Sequence, residues 1–325
     1  MKLSRRDCLT ALALLPLLPA CVKIDRSKKR RLSIAAGLTG GVYYVYGGGI
    51  AKVVSETLPD VEMTAEATSG SVDNLKFVGS GRADVGFTMA DTLDEAVRGE
   101  GAFHGDRPVK LLALAALIDN FTHVACFADS GLRGLRDLRG KVVSVGAPGS
   151  GTETIALRIL KAAGLDPDSD IRRQNLGVSA SADALKDGKL DAFFWSSGVP
   201  AGSLLDLAAT PGHRLALLPS DAVLSELQRR HGALYYEGTI PHAVYPGLES
   251  DVKVVTVKSL LAVSSEMDEE LAYRLTRTLF DKQKDLAAIH PEARNLSLAQ
   301  AVKGSPAPFH KGAIRYYREK GAWPE

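Results

Sequence analysis

The sequence LSIAAGLTGGVYYVYGGG, residues 32–49, places an apolar, β-prone run directly before a glycine-rich loop. The loop leads into a segment whose apolar residues Ile50, Val53 and Val54 have the spacing of a helix face. Glycines at a strand-to-helix turn leave backbone N–H groups unobstructed, and the helix N-terminus adds partial positive charge. Residues 32–49 therefore predict a strand, an anion-binding turn and a helix.

Apolar strands and amphipathic helices alternate along the rest of the chain. A first series has strand-like runs at 61–68, 83–89 and 111–118, with a helix that Ser71 and Asp73 are suited to cap and start. A second series has strands at 124–128, 141–145, 172–176 and 190–195, with helices at 132–138, 154–163 and 181–186. Its glycine turn is GAPGSGTE, residues 146–153. Two matched turns at strand ends predict a clamp for a small acidic ligand.

The order of these elements predicts two lobes, one inserted in the other. Residues 32–121 and 240–325 form the first lobe, and residues 122–239 form the second. Strands within 252–264 return the chain to the first lobe, and helices follow at 268–289 and 309–320. The alternation is typical of parallel sheets, so we predict an α/β fold with a cleft between the lobes.

The first 21 residues predict an export signal. Lys2, Arg5 and Arg6 precede an apolar run at 9–18 that is too short to span a bilayer. Residues 18–21, LPAC, resemble a bacterial lipobox and predict lipidation of Cys21; the alternative is ordinary cleavage near Ala20. The paired arginines also resemble a twin-arginine signal, which leaves the export route open. Residues 22–31 predict a basic tether that could rest on anionic lipid.

Charge and cysteine content exclude several classes of protein. The chain has 40 basic and 38 acidic residues, and the six bases at 23–31 lie in the tether, so the body is mildly acidic. A global basic field for nucleic acid is absent from the sequence. Of three cysteines only Cys126 lies in the body, and the seven histidines lack metal-binding spacing. We predict no disulfide, no metal and no cofactor.

Catalytic motifs are also missing from the sequence. Residues 146–152 superficially resemble a phosphate loop, but Thr152 stands where that loop needs lysine. No Gly-x-Ser-x-Gly elbow frames a serine. We therefore predict a binding protein and not an enzyme. Tyr43, Tyr44 and Trp195 could each belong to the core or to the cleft wall, and Asp91 could orient loops or touch ligand.

Four separated motifs carry a family resemblance. They are AAGLTGGVYY (35–44), AEATSGSVDNL (65–75), GAPGSGTE (146–153) and DAFFW (191–195). Together with YPG (245–247) and GAIRYYREKG (312–321), they are similar to the TAXI family, the solute receptors of tripartite ATP-independent periplasmic (TRAP) transporters. The resemblance implies a type II periplasmic-binding-protein fold, with two α/β lobes, two hinge strands and ligand in the cleft.

The resemblance also implies the ligand and its contacts. Family members are associated with glutamate, 2-oxoglutarate and related small carboxylates. Met89 stands where the family often has glutamine, which removes a polar contact and favours a less polar acid. The predicted ligand-binding residues are Thr39, Gly40, Gly41, Tyr43, Ser69, Ser71, Met89, Gly149, Ser150, Gly151, Thr152 and Trp195. Spacing marks no single arginine as the carboxylate partner, and Arg172 and Arg173 are candidates only because they lie next to a predicted strand.

The function predicted from the sequence is that of an extracytoplasmic receptor. It would capture a small carboxylate between its lobes and deliver it to the membrane permease of a TRAP transporter, with Cys21 as a membrane anchor. The alternative is a periplasmic sensor that reports to a membrane histidine kinase. A permease gene or a kinase gene beside this one would distinguish them.

Overall fold

The computed structural model describes residues 29–105 and 108–324. The predicted export signal, the lipobox with Cys21 and most of the basic tether lie outside the described residues. In the part of the chain that is described, no helix combines the length and the apolar character that crossing a bilayer requires.

Residues 30–98 form a βαβαβα unit at one end of the molecule. Its elements are β1 (Arg30–Ala35), α1 (Val42–Thr57), β2 (Val61–Glu66), α2 (Ser71–Gly79), β3 (Val85–Met89) and α3 (Ala90–Arg98). Strand β1 lies between β2 and β3 and is parallel to both. The carboxyl ends of these strands therefore meet at one edge, where ligands bind in parallel sheets. Residues 32–49 form the predicted strand, loop and helix.

A second α/β unit follows between residues 142 and 240. Its elements are β5 (Val142–Ser144), α4 (Gly151–Ala162), β6 (Arg172–Gln174), α5 (Val178–Lys186), β7 (Ala192–Ser197), α6 (Gly202–Ala208), β8 (Leu215–Leu217), α7 (Leu224–His231) and β9 (Tyr235–Ile240). Strand β5 lies between β6 and β7 and is parallel to both. The second glycine turn joins β5 to α4, so both predicted turns occupy equivalent positions.

Two long strands connect the units. They are β4 (Leu111–Phe127), between the units in sequence, and β10 (Val252–Ser264). Strand β10 pairs with β9 through residues 252–257, with β3 through residues 259–263, and with β4 through residues 256–264. The prediction of separate strands at 111–118 and 124–128 is wrong, because one strand of 17 residues runs through both units.

Four C-terminal helices cover the first unit. They are α8 (Glu269–Asp281), α9 (Gln283–Ile289), α10 (Leu298–Ala301) and α11 (Lys311–Glu319). The single helix predicted over 268–289 is wrong, since the backbone leaves helical geometry at Lys282. Short 3-10 turns lie at Gly101–Phe103, Ala128–Ser130, Leu135–Leu138, Asp221–Val223, His242–Val244 and Pro291–Asn295.

We call the unit of β1–β3, α1–α3 and α8–α11 the first lobe and the unit of β5–β9 and α4–α7 the second lobe. Buried apolar clusters pack within each lobe, one of them shared through Met89 and Ala90 of the first lobe, and β4 and β10 join the lobes. We propose that the chain re-enters the first lobe within β10, after Val257, and not at residue 240 as predicted, because residues 252–257 pair with β9.

Candidate functional site

A narrow cavity lies between the two lobes, where the carboxyl ends of their parallel strands face each other. Its volume is about 30 Å³, roughly the space that one or two water molecules need. A larger ligand can enter only when the lobes part. The cavity is lined by Gly37, Leu38, Gly41, Val42, Tyr43, Ser69, Gly70, Ser71, Met89, Asn120, Ser150, Gly151, Thr152, Trp195, Ser196 and Ser197.

Four helices begin at the wall of this cavity. The residues that precede their first turns are Gly41 for α1, Gly70 for α2, Met89 for α3 and Ser150 for α4. All four line the cavity, so the positive ends of four helix dipoles converge there from both lobes. No lysine, arginine or histidine is among the described residues that line it. An anion held here would be bound by N–H and hydroxyl groups.

Ser150 fixes the geometry of the second glycine turn. Its Oγ accepts a hydrogen bond from the Glu153 backbone N–H (3.1 Å) and donates one to the Ala147 carbonyl (2.6 Å). The Glu153 carboxylate accepts the Gly149 N–H (3.1 Å) and an Asn175 N–H (2.6 Å). The turn is therefore held in place by its own chain.

Replacing Ser150 with alanine removes the N-cap of α4. We expect the Ser150→Ala variant to lose about 1 kcal/mol of unfolding free energy, as measured by urea denaturation. Ser179 is the matched control, because it is an exposed serine in the first turn of α5 and caps nothing there. The Ser179→Ala variant should stay within about 0.5 kcal/mol of the parent. Equal stability of the two variants would contradict the capping role.

A hydrogen-bonded chain connects the cavity to both long strands. The Asn120 Nδ2 of β4 donates to the Tyr43 hydroxyl (3.0 Å), which bonds Ser259 Oγ of β10 (2.6 Å). Asn120 Oδ1 and Trp195 Nε1 are buried and have no hydrogen-bond partner. Buried polar atoms are nearly always paired in folded proteins, so two unpaired ones on residues that line a single cavity indicate a place for ligand.

Trp195 lies within strand β7, and residues of the second lobe and of β4 contact it on the side away from the cavity. Its indole ring lies against Gly41 of the first lobe, and its carbonyl oxygen is 3.1 Å from His123 Nδ1. The Tyr245 hydroxyl lies 3.0 Å from His123 Nε2. Burial lowers the pKa of His123 to about 4, so the imidazole is neutral at pH 7. The contact with His123, which Tyr245 supports, fixes the position of the Trp195 indole ring. The indole therefore belongs to the wall of the cleft.

The lobes contact each other directly beside the cavity. The Asp73 backbone N–H donates to the Gly149 carbonyl (3.2 Å). A Cβ at Gly151 would lie 2.6 Å from Ser71 Oγ and 2.7 Å from Met89 Cε. Gly151 is therefore required for this close approach. In this structure the two lobes are therefore in contact beside the cavity.

Most of the predicted ligand-binding residues lie together at the cavity. Nine of the twelve line it: Gly41, Tyr43, Ser69, Ser71, Met89, Ser150, Gly151, Thr152 and Trp195. Thr39 and Gly40 line a neighbouring cleft with Ser179 and Ser203, and Gly149 contributes its carbonyl to the contact with Asp73. Their roles in binding remain predictions.

Two interpretations need correction, and one residue was missed. Ser71 does not cap α2, because Gly70 with φ +131° takes that position and Ser71 Oγ accepts the Met89 N–H (3.1 Å). Arg172 and Arg173 lie on the edge strand β6 away from the cavity, and Arg173 pairs with Asp168 (2.9 Å). Asn120 was missed because it lies between the two predicted strands and its partner Tyr43 is distant in sequence.

A buried charged cluster joins the lobes outside the cavity. The Arg158 guanidinium of α4 contacts Glu95 of α3 and donates to the Tyr235 hydroxyl (2.6 Å), which donates to Asp91 (2.9 Å). Burial raises the pKa of Asp91, an effect that Arg158 opposes. Asp91 therefore takes part in an ion cluster and not in the cavity wall. Within the described ranges, no group of three His, Cys, Asp or Glu residues could hold a metal.

Comparisons with known proteins agree with this architecture. The sequence model of the NMT1-like family matches residues 34–321. An ancestral arginine-binding protein bound to arginine is 15% identical, with a TM-score of 0.52 over 82% of this chain and 98% of that chain. A protein of Bordetella bronchiseptica RB50 is 17% identical, with a TM-score of 0.52 over 91% and 90%. Tv2483 bound to L-arginine is 13% identical, with a TM-score of 0.51 over 82% and 89%. These likenesses show the fold and confirm the predicted fold class, a two-lobed α/β periplasmic-binding-protein fold.

Proposed function

Because the chain belongs to the NMT1-like family, we propose that it is an extracytoplasmic solute-binding receptor that captures a small carboxylate between its lobes. The observation that carries the proposal is the convergence of four helix N-termini from both lobes on one cavity with unpaired polar atoms. Helix N-termini bind anions through their free N–H groups and the helix dipole. The arginine-binding relatives add that proteins of this fold hold small charged solutes.

Binding would work by closure of the lobes. The ligand contacts Ser71 and Tyr43 of the first lobe and Gly151 and Thr152 of the second, so it favours the closed arrangement over the open one. Strands β4 and β10 absorb the movement. Nothing in the proposed cycle makes or breaks a covalent bond, and the lining hydroxyl of Ser150 is already used as a helix cap.

We further propose a TRAP permease as the partner and the lipidated Cys21 as a membrane anchor. Both rest on the sequence resemblance. The permease would recognise the closed lobes and accept the solute. The predicted signal at residues 1–21 supports a position outside the cytoplasmic membrane. Copurification of the permease with the ligand-loaded protein would support the partner, whereas copurification of a histidine kinase would favour the sensor alternative.

A thermal-denaturation panel tests the binding proposal. The purified protein is melted with glutamate, 2-oxoglutarate, succinate, pyroglutamate and branched 2-oxo and 2-hydroxy acids, each beside its neutral amide. At about 100 times its dissociation constant, a bound acid should add about 2.7 kcal/mol of stability and raise the melting temperature. The amides should have no such effect. Equal shifts with acids and amides, or none with any acid, would refute a carboxylate receptor.

A further inference from the structure

Asn120, which lines the cavity, has a side-chain hydrogen-bond acceptor that the protein leaves unused. Asn120 is 1% exposed, and its Nδ2 donates to the Tyr43 hydroxyl at 3.0 Å. The Tyr43 hydroxyl also forms a hydrogen bond with Ser259 Oγ of β10 at 2.6 Å, and this pair of bonds fixes the orientation of the Asn120 amide. Its Oδ1 has no partner. A ligand that satisfies this oxygen must bring a hydrogen-bond donor.

Trp195, which lines the same cavity, has an unused hydrogen-bond donor. Trp195 is 7% exposed, and its Nε1 has no partner. An indole N–H can only donate, so the ligand must also bring an acceptor. A carboxylate oxygen meets this need and is favoured by the helix N-termini around it. The ligand must therefore carry both a donor for Asn120 Oδ1 and an acceptor for Trp195 Nε1.

Charge restricts the ligand further. Neither a carboxylate nor a basic side chain is among the described residues that line the cavity. An ammonium group or a second carboxylate would be buried without a partner, which is costly. Asp91, the acid at the start of α3, is occupied by Tyr235 and Thr92. The donor that meets Asn120 must therefore be neutral, and the ligand must be a monoanion.

The remaining walls are apolar and close. Leu38, Val42 and Met89 line the cavity, whose volume of about 30 Å³ leaves room for little more than a short substituent unless the lobes part. A small molecule that carries a carboxylate, one neutral donor and a short apolar group meets these requirements, and a 2-hydroxy acid is such a molecule. A 2-oxo acid has no donor, and an amino acid carries an ammonium charge.

We propose that the ligand is a short-chain 2-hydroxy monocarboxylate. Its carboxylate lies at the helix N-termini and accepts the Trp195 Nε1–H. Its hydroxyl donates to Asn120 Oδ1, and its alkyl group packs on Leu38, Val42 and Met89. This proposal rests on the proposed receptor function and names the substrate class of the same site.

Calorimetric titration with compounds of one carbon skeleton tests the proposal. The probes are 2-hydroxyisovalerate, 2-oxoisovalerate, isovalerate and valine, with 2-hydroxyglutarate to add a second charge. We expect 2-hydroxyisovalerate to bind at least about tenfold tighter than each of the others, because each leaves a buried group unpaired or brings an unpaired charge. Equal affinities, or a preference for valine, the 2-oxo acid or the dicarboxylate, would overturn the proposed substrate class. The proposed receptor function would stand. Failure of every acid to bind would instead refute the receptor function.

Two variants assign the preference to named atoms. Asn120→Leu should bring the affinities for the 2-hydroxy and 2-oxo acids to within about twofold of each other. Trp195→Phe should weaken both by the same factor and leave their ratio unchanged, while the matched Trp323→Phe variant binds like the parent. A hydroxyl preference that survives in Asn120→Leu would overturn the assignment. Should Asn120→Leu fail to fold, the comparison of ligands on the parent protein still decides the proposal.

Discussion

Replacing Arg158 with methionine should lower the free energy of unfolding by about 3–5 kcal/mol, the loss typical of a buried ion pair that keeps one partner. The Arg158 side chain is 13% exposed, and the Asp91 and Glu95 side chains beside it are 0% and 8% exposed. Methionine fills a similar volume but leaves two carboxylates and the Tyr235 hydroxyl without their cation. The cluster joins α3 of the first lobe to α4 of the second, so its loss also loosens the contact between lobes.

Urea denaturation of the parent and the variant measures this effect. The control is Arg229→Met, which removes an exposed arginine paired with Glu226 on α7. An exposed pair contributes at most about 1 kcal/mol, so this control should stay near the parent. Similar losses in the two variants would show that the Arg158 cluster is no more important than a surface ion pair.

The pH dependence of the Arg158→Met deficit follows from the pKa of the two carboxyls. Burial raises the pKa of Asp91 and of Glu95, and Arg158 opposes the rise. Without Arg158 both pKa values rise further above their unfolded values. A folded state that holds its protons more tightly loses stability as pH rises through the folded pKa. The deficit of the variant should therefore be smaller at pH 5 than at pH 8, and an equal deficit at both would contradict this origin.

Replacing Gly151 with valine should abolish closure of the lobes and weaken ligand binding by about 100-fold or more. A Cβ at Gly151 already lies 2.6 Å from Ser71 Oγ and 3.1 Å from Ser71 Cβ. The γ carbons of valine extend further, and the lobes can avoid them only by separating. Because contacts with both lobes are what favour the closed state, a ligand that reaches one lobe binds weakly. Calorimetry measures the affinity, and small-angle X-ray scattering measures whether ligand still compacts the protein.

Gly48→Ala is the matched control for Gly151→Val. Gly48 lies on the exposed face of α1, and a Cβ there would meet nothing within 4 Å. The added methyl group should stabilise the helix by about 0.5–1 kcal/mol and leave affinity unchanged. Ligand-induced compaction of the Gly151→Val variant equal to that of the control would contradict the requirement for close approach at this glycine.

Much of the fold follows from local pattern. The strand, loop and helix at residues 32–57 and the matching turn before α4 are explained by glycine placement and helical spacing. The continuity of β4 was not predictable in this way. Residues 119–123 include Asp119, Asn120 and His123, which interrupt the apolar pattern, and only the pairing with β7 and β10 shows that the strand continues through them. Long-range pairing decides such a segment, and local sequence does not.

The candidate site was partly predictable for the same reason. Residues at strand ends and helix starts, such as Tyr43 and Ser150, are marked by the glycine turns beside them. Asn120 and the Arg158 cluster are not marked by any nearby motif, because their partners are distant in sequence. Tyr43 meets Ser259 of β10, and Arg158 meets Glu95 of the other lobe. No spacing rule within one segment reveals these contacts.

Fluorescence of Trp195 tests the account most directly. The chain has two tryptophans, so in the Trp323→Phe variant all indole emission comes from the cavity wall. We predict that a 2-hydroxy monocarboxylate changes this emission and that the change saturates at one ligand per chain. The dissociation constant from fluorescence should equal the one from calorimetry. An acid that raises the melting temperature while Trp195 emission stays constant would bind elsewhere and contradict capture between the lobes.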